Sequence, residues 1–356
     1  MNGVYTVISG NDLLGEQASG KWIGKRWCLY SDYDVVFSEN AGGFSEHQII
    51  FEGYIRIVRS GRGVMLKMSI RPEDGADQLE NSIEPSSIIL KGTTSDNKEI
   101  ILMRTRELYN SGDFQVIAHR GGARNSERLG KSENSLEMMK YAQILGATGI
   151  EIDVKPTRDG KLIIFHDDTF SPRTVRGAYL LGRVENFDLA QIKLFGTLIN
   201  GETIPTLDEA LETVVDSTLL TTVWLDVKNP SIVEDVIISQ KKAINRPRPA
   251  GRPDLKIYLG IPDQNVLDAY SASEGRNTTP ILIEFSSELA SEFPTCEVWA
   301  PRWTIGIPAP CPGRKIFVWT LDVREFISDF LNNNNVDGIL TNYPSMVSGM
   351  NYTRHQ

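Results

Sequence analysis

Two rhythms of hydrophobic and polar positions divide the chain near residue 110. Before it, short runs of β-branched and aromatic residues follow closely on one another: KRWCLY, HQIIFEGYIRIV, GVMLKMSI, SSIILKG and KEIILMRT. Clusters of Gly, Asn, Asp and Ser, such as SENAGG, RSGRG and TTSDN, separate them and read as turns. Adjacent antiparallel strands of this kind close into a small all-β sandwich or barrel, expected over residues 1–110. The acidic stretch 73–84 reads as a solvated loop.

From residue 112 onward apolar strands alternate with helical stretches. FQVIAH, GIEIDV, TVWLDVK, KIYLGI, ILIEF, KIFVWT and VDGILT are the strands, with helical segments such as TLDEALETVV and VREFISDFLNN between them. That spacing makes parallel βα units. About eight of them over residues 112–356 favour a closed TIM (β/α)8 barrel over an open sheet. In SENSLEMMKYAQILGA, Leu136, Met139, Tyr141, Ile144 and Leu145 follow a helical stripe, Ser132 or Asn134 suits its cap, and Gly146 suits its end.

Composition narrows the function. The 356 residues are 40% hydrophobic and 23% charged, as in a soluble globular protein, with a formal net charge of −9. Nothing in that balance attracts nucleic acid or an anionic membrane, so an anionic substrate must be met by a few local cations. No apolar run approaches the 18 residues of a membrane span. MNGVYTVISG lacks the layout of a secretory leader, so a cytoplasmic location is expected, or a periplasmic or secreted one if a leader was removed. Cys28, Cys296 and Cys311 are too few for a disulfide framework or a zinc site, although the spacing leaves a Cys296–Cys311 pair open.

In a βα barrel, chemistry gathers where strands end. The first strand ends in His119 and Arg120; the second carries Glu151 and Asp153, two apart and on one face. WLDVK repeats the device with Asp226 and Lys228. Carboxylates converging among Ile, Val and Trp repel one another and are costly to desolvate. One divalent cation resolves this, and oxygen-only ligands suit Ca2+ or Mg2+ better than zinc. Between Asp153 and Leu162 no crossover helix fits, so RDGK reads as a hairpin turn. A two-residue turn at Asp159–Gly160 sets His166 opposite Asp153, and a four-residue turn over 157–160 sets it opposite Glu151; a three-residue turn does neither.

These residues carry a resemblance. HRGG, SEN, GIEIDV, TRDGKLIIFHDD, IPTLDEAL, WLDVK, FVWT and VDGILTNYP stand in the order found in the glycerophosphodiester phosphodiesterases, over roughly residues 114–345. The resemblance implies a TIM barrel, with His119 and His166 as the general acid/base pair, Glu151 and Asp153 on a metal, and Arg120 and Lys228 on phosphate oxygens. Asp226, the third metal ligand in this scheme, stands where the family usually has Glu, and Ser132 stands where it usually has Pro. Trp319, ending a strand at the barrel mouth, either walls a glycerol pocket or packs the core. Trp299, Arg302 and Trp303 are candidates for the alcohol side. Glu133 and Asn134 either cap a helix or line the site, and Asp167 and Asp168 read as loop residues. The opening NDLLGEQASGKWIGKRW resembles the start of lipocalin-like barrels. The expected activity is metal-dependent hydrolysis of glycerophosphodiesters, a small-molecule substrate class, to glycerol 3-phosphate and an alcohol. Two alternatives remain: a lysophospholipase D-type enzyme on the same barrel, and a degenerate barrel that binds phosphodiesters without turnover.

Overall fold

The computed structural model describes residues 1–85, 87–110, 112–333 and 335–355. Eight strands come first: β1 (Gly3–Ser9), β2 (Gln17–Ile23), β3 (Arg26–Ser31), β4 (Val36–Ser45), β5 (Gln48–Ile57), β6 (Arg62–Ile70), β7 (Ile89–Thr94) and β8 (Glu99–Arg106). Each pairs antiparallel with its chain neighbour, and β1 pairs with β8, so the sheet closes into an up-and-down barrel rather than a sandwich. Closure leaves no free strand edge. Tyr5, Trp27, Leu29, Phe51, Ile55 and Leu66 fill its interior. The inside of this eight-strand barrel is occupied by side chains.

Two expectations fail in this unit. SENAGG is not a turn but the middle of β4, where Asn40 to Gly43 pair with Gly53 to Ile50. Gly42 answers to packing: a Cβ there would lie 2.3 Å from the Phe51 ring. Nor is 73–84 merely a solvated loop. It contains a helix, Ala76–Glu80, and Ala76 is buried in the barrel core. Asp74 is buried too, with its carboxylate 2.8 Å from Lys91 Nζ. The first compact unit also takes in Ile144–Gly146 and the chain from Ser345 onward. Within it Lys21 Nζ donates to the Tyr352 hydroxyl at 2.9 Å.

The second unit opens with β9 (Gln115–Ala118) and β10 (Gly149–Pro156), followed by β11 (Leu162–Ile164) and the short β12 (Thr169–Phe170), β13 (Val175–Arg176), β14 (Gly182–Arg183) and β15 (Thr197–Leu198). Then come β16 (Thr222–Val227), β17 (Lys256–Ile261), β18 (Ile281–Ile283), β19 (Cys296–Trp299), β20 (Lys315–Val318) and β21 (Gly338–Thr341). β9, β10 and β16 to β21 are parallel, each bonded to the next, and β21 returns to β9: a closed (β/α)8 barrel. Ile117, Trp224, Tyr258, Leu282, Val298, Phe317 and Leu340 pack together in its core. Among the parallel barrel strands, β19 escaped the sequence pattern, being only four residues long with a glutamate at its second position.

Residues 157–206 form an excursion from the barrel with its own core, which includes Ile163, Phe165, Phe170, Leu180 and Ile192. Here both hairpin registers expected from the sequence are overturned. Val154 pairs with Ile164 and Pro156 with Leu162, which leaves the three-residue loop Arg158, Asp159, Gly160. Thr157 fixes that choice: its N–H donates to Lys161 O at 2.8 Å, and its hydroxyl accepts from Lys161 N at 2.9 Å while donating to Asp159 Oδ1 at 2.6 Å. Gly160 ends the loop at φ +71°, the left-handed residue this turn requires.

The helix after HRGG runs Leu136–Ala142, and its cap is Ser135, whose Oγ accepts from Met138 N at 3.0 Å, not Ser132 or Asn134. Its buried face is Met138, Met139 and Ala142. All three cysteines are free.

Candidate active site

His119 follows β9, where the chain turns sharply. Arg120 takes φ +54° and ψ 44°, a left-handed conformation unusual for a side chain of its size. Two bonds hold it there: Arg120 N donates to Glu151 Oε2 at 2.8 Å, and Arg120 O accepts from Asn134 N at 2.8 Å. The turn carries both side chains into one cavity. Arg120 Nη1 donates to buried Glu133 Oε1 at 3.0 Å, and its Nη2 donates to His166 Nε2 at 2.9 Å. His166 therefore reaches the site despite the register. The β11 pairing ends after Phe165 N donates to Asp153 O at 3.0 Å, and the bend at 166–168 swings the ring inward. Its Nδ1 faces Asp167 Oδ1 at 2.8 Å, and Arg173 also donates to that carboxylate.

Neighbouring strands bring the acids together. Asp153 of β10 pairs with Asp226 of β16, and Glu151 sits one pleat earlier on the same face. Carboxylate oxygens of Glu151, Asp153 and Asp226 lie within 4.8 Å of one another. Lys228 Nζ stands 2.6 Å from Asp226 Oδ2 and 3.4 Å from Asp153 Oδ1. Asn134 Nδ2 donates to Asp153 Oδ2 at 2.9 Å, so Asn134 supports the site and does not cap the helix. Burial, then the charges of Asp153 and Asp226, push the Glu151 carboxyl well above its usual range. Asp226 is raised by burial against the pull of Lys228. Burial also acts on Asp153, but Lys228, His166 and the Asn134 bond outweigh it and bring it down. Lys228 is raised: burial works against its charge, but the carboxylates dominate.

A cation fits this donor set. Glu151 Oε1 is buried without a hydrogen-bond partner among the described residues. An orphaned carboxylate oxygen facing two more carboxylates is costly by itself and suits a hard, oxygen-seeking divalent ion.

The cavity above the cluster has a volume of about 570 Å³. Its lining includes the ionisable His119, Arg120, Glu151, His166, Asp226 and Lys228 and the apolar Trp224, Trp299, Trp319, Phe285 and Ile305. Trp319 lines the cavity, while its Nε1 donates to Ala300 O at 2.6 Å and its ring meets Trp224 edge-on. Arg302 lies over the Trp319 ring, 4.3 Å from its centre, and also lines the cavity. Trp303 packs against Phe326 instead. Sequence reasoning missed Glu284, at the end of β18. It too lines the cavity, and burial followed by the charge of Asp226 raises its carboxyl well above the usual range. Its position at a strand end was the available signal.

Comparison with known proteins shows the family. Residues 119–255 match the model of the glycerophosphoryl diester phosphodiesterase family. A glycerophosphodiester phosphodiesterase of Caldanaerobacter subterraneus subsp. tengcongensis is 30% identical over 254 residues, covering 64% of this chain and 94% of that protein. A probable glycerophosphodiester phosphodiesterase 2 of Mycobacterium tuberculosis is 28% identical, covering 67% of this chain and 90% of its own length. Among solved structures, a phosphodiesterase of Oleispira antarctica in complex with sn-glycerol-3-phosphate superposes with a TM-score of 0.51 at 23% identity, over 65% of this chain and 94% of that one. The barrel, the rim of ionisable side chains and the relative matched almost end to end lead to one conclusion: this chain belongs to the glycerophosphodiester phosphodiesterase family, phosphoric diester hydrolases that cleave glycerophosphodiesters.

Proposed function

We propose that the protein hydrolyses glycerophosphodiesters to glycerol 3-phosphate and an alcohol in a divalent-metal-dependent reaction, with His119 and His166 exchanging the protons. The observation that carries this reading is the convergence of both imidazoles, three carboxylates and two cations on one cavity. Glu151, Asp153 and Asp226 would hold one cation, Ca2+ or Mg2+. When bound, it supplies Lewis acidity, drawing off negative charge that accumulates on the phosphoryl group. Arg120 presents a forked guanidinium to two phosphate oxygens, and Lys228 adds a point charge. One imidazole takes the proton of the nucleophile, which is either water or a hydroxyl of the substrate glycerol whose cyclic phosphate water then opens, and the other gives one to the departing alkoxide. Trp319 walls the space for the glycerol. The product found on the Oleispira protein is the one this reaction would leave.

The test is release of glycerol 3-phosphate from glycerophosphocholine, with and without a chelator. Activity should vanish with the metal and return on its restoration. His119→Ala and His166→Ala should each lower turnover on the order of 10²–10⁴-fold. Chelator-resistant turnover, or wild-type rates in both variants, would overturn the reading. An absence of product under every metal condition would instead favour the barrel that binds without turnover.

One observation favours a lysophospholipid as a second substrate. Phe285 and Ile305 line the cavity yet are 42% and 60% exposed, and Ile307, Val323 and Phe326, in the segments that follow β19 and β20, are exposed as well. An acyl chain would find apolar contact there. If it does, Ile305→Asp should depress kcat/KM for a lysophosphatidylcholine far more than for glycerophosphocholine.

A further inference from the structure

We infer that Asn342 and Asp322 are positioning residues for His119, holding its ring in one orientation with the hydrogen on Nδ1 and the lone pair of Nε2 turned to the reacting groups. The inference rests on the reading that His119 transfers a proton, and it concerns residues that do not line the cavity.

The argument is one of donors and acceptors. Asp322, in the loop after β20, is tied down at both oxygens. Oδ1 accepts from Thr341 Oγ1 at 2.9 Å and from Asn342 N at 2.8 Å, and Oδ2 accepts from Asn342 Nδ2 at 2.5 Å. A carboxylate only accepts, so the amide of Asn342 must turn its NH2 toward Asp322. Its carbonyl oxygen is thereby turned the other way, 2.7 Å from His119 Nδ1. That oxygen also only accepts, so Nδ1 must carry the hydrogen, and in the neutral ring Nε2 then holds a lone pair. Nε2 is 3.8 Å from Glu151 Oε2, beyond hydrogen-bond reach. Asn342 is buried, 4% exposed, which keeps water from substituting for either bond. His166 is held differently, by the charged Asp167 carboxylate at its Nδ1. The two imidazoles are thus prepared unequally: a neutral amide backs the one at β9, and a carboxylate backs the other.

Asp322→Asn tests this without changing size. The new amide must keep its oxygen toward Thr341 and the Asn342 backbone, so its NH2 faces the Asn342 side chain. Asn342 then turns its carbonyl to that NH2 and its own NH2 to His119, which moves the ring hydrogen to Nε2. Long-range proton–nitrogen spectra of protein labelled with 15N-histidine read the tautomer directly, and the His119 signal is the one lost in His119→Ala. In the unmodified protein the Nδ1–H form is expected. In Asp322→Asn the Nε2–H form should appear, with kcat lower by about 10²-fold or more and KM changed by no more than roughly threefold. An Nε2–H ring in the unmodified protein overturns the inference without any variant being folded. So does a well-folded Asp322→Asn with unchanged tautomer and kcat. If His119→Ala itself keeps wild-type turnover, the proton-transfer reading fails instead, and the spectra still decide the tautomer.

Discussion

His119 owes its protonation state to its surroundings. Burial, partly offset by the Asn342 bond and reinforced by the Arg120 charge, lowers it from the ordinary 6.5 to about 4. Between those values the unfolded chain takes up a proton that the native ring refuses. This group therefore costs stability as pH falls from 6.5 toward 4, and costs nothing above 6.5. Its ring protons, followed by NMR, should show no titration between pH 5 and 8; a midpoint near 6.5 would contradict the burial argument. At this scale much of the site was legible. His119, Arg120, Glu151, Asp153, Asp226 and Lys228 announce themselves as charged residues at the ends of apolar runs, and the structure gathers all of them on one cavity or its floor. Asn342 and Asp322 gave no such signal, because a polar residue in a loop is ordinary until its partner is known. Glu284 stood alone at its strand end, without a second carboxylate two positions away to mark it.

Among the elements, packing overruled local pattern more than once. Thr157 selected a three-residue turn where Asp-Gly alone suggested two or four, and His166 reached the site through a bend instead of a ladder position. Gly42 in β4 looked like part of a turn because its reason, the Phe51 ring, lies on another strand. The helix Pro344–Tyr352 holds a similar case. A Cβ on Gly349 would sit 2.0 Å from Ser31 O, so backbone meets backbone with no room for a methyl group. Gly349→Ala should destabilise the first unit by roughly 1–3 kcal/mol, the usual cost of overpacking, despite alanine's better helix propensity. Urea unfolding measures it, and a stabilised variant would show that the contact relaxes freely.

For the whole molecule, charge and metal meet. The chain carries a net charge of −9, yet an anionic phosphodiester must enter a cavity already lined by acids. Arg120 and Lys228 provide local attraction, and a bound divalent cation would offset most of the negative charge of the three carboxylates. Binding to the native state alone raises stability by about 2.7 kcal/mol at a hundredfold excess over Kd. Saturating Ca2+ or Mg2+ should accordingly raise the melting temperature by several degrees in a calorimeter, and a chelator should reverse it. Glu151→Gln should abolish the shift; a shift that persists would place the ion elsewhere. Because Glu151 holds its proton to higher pH than a free carboxyl, binding should weaken as pH falls and release protons.

By itself the sequence determined the rhythm of strands and helices, and so the parallel barrel and the rim where chemistry gathers. Periodicity is local, written within a few residues of each position. Only the tertiary structure decided which turn the hairpin takes, that the first eight strands close on themselves, and that Asp322 reaches His119 through Asn342. Those outcomes depend on side chains far apart in the chain competing for the same space and the same hydrogen bonds, and no window of neighbouring residues contains that competition.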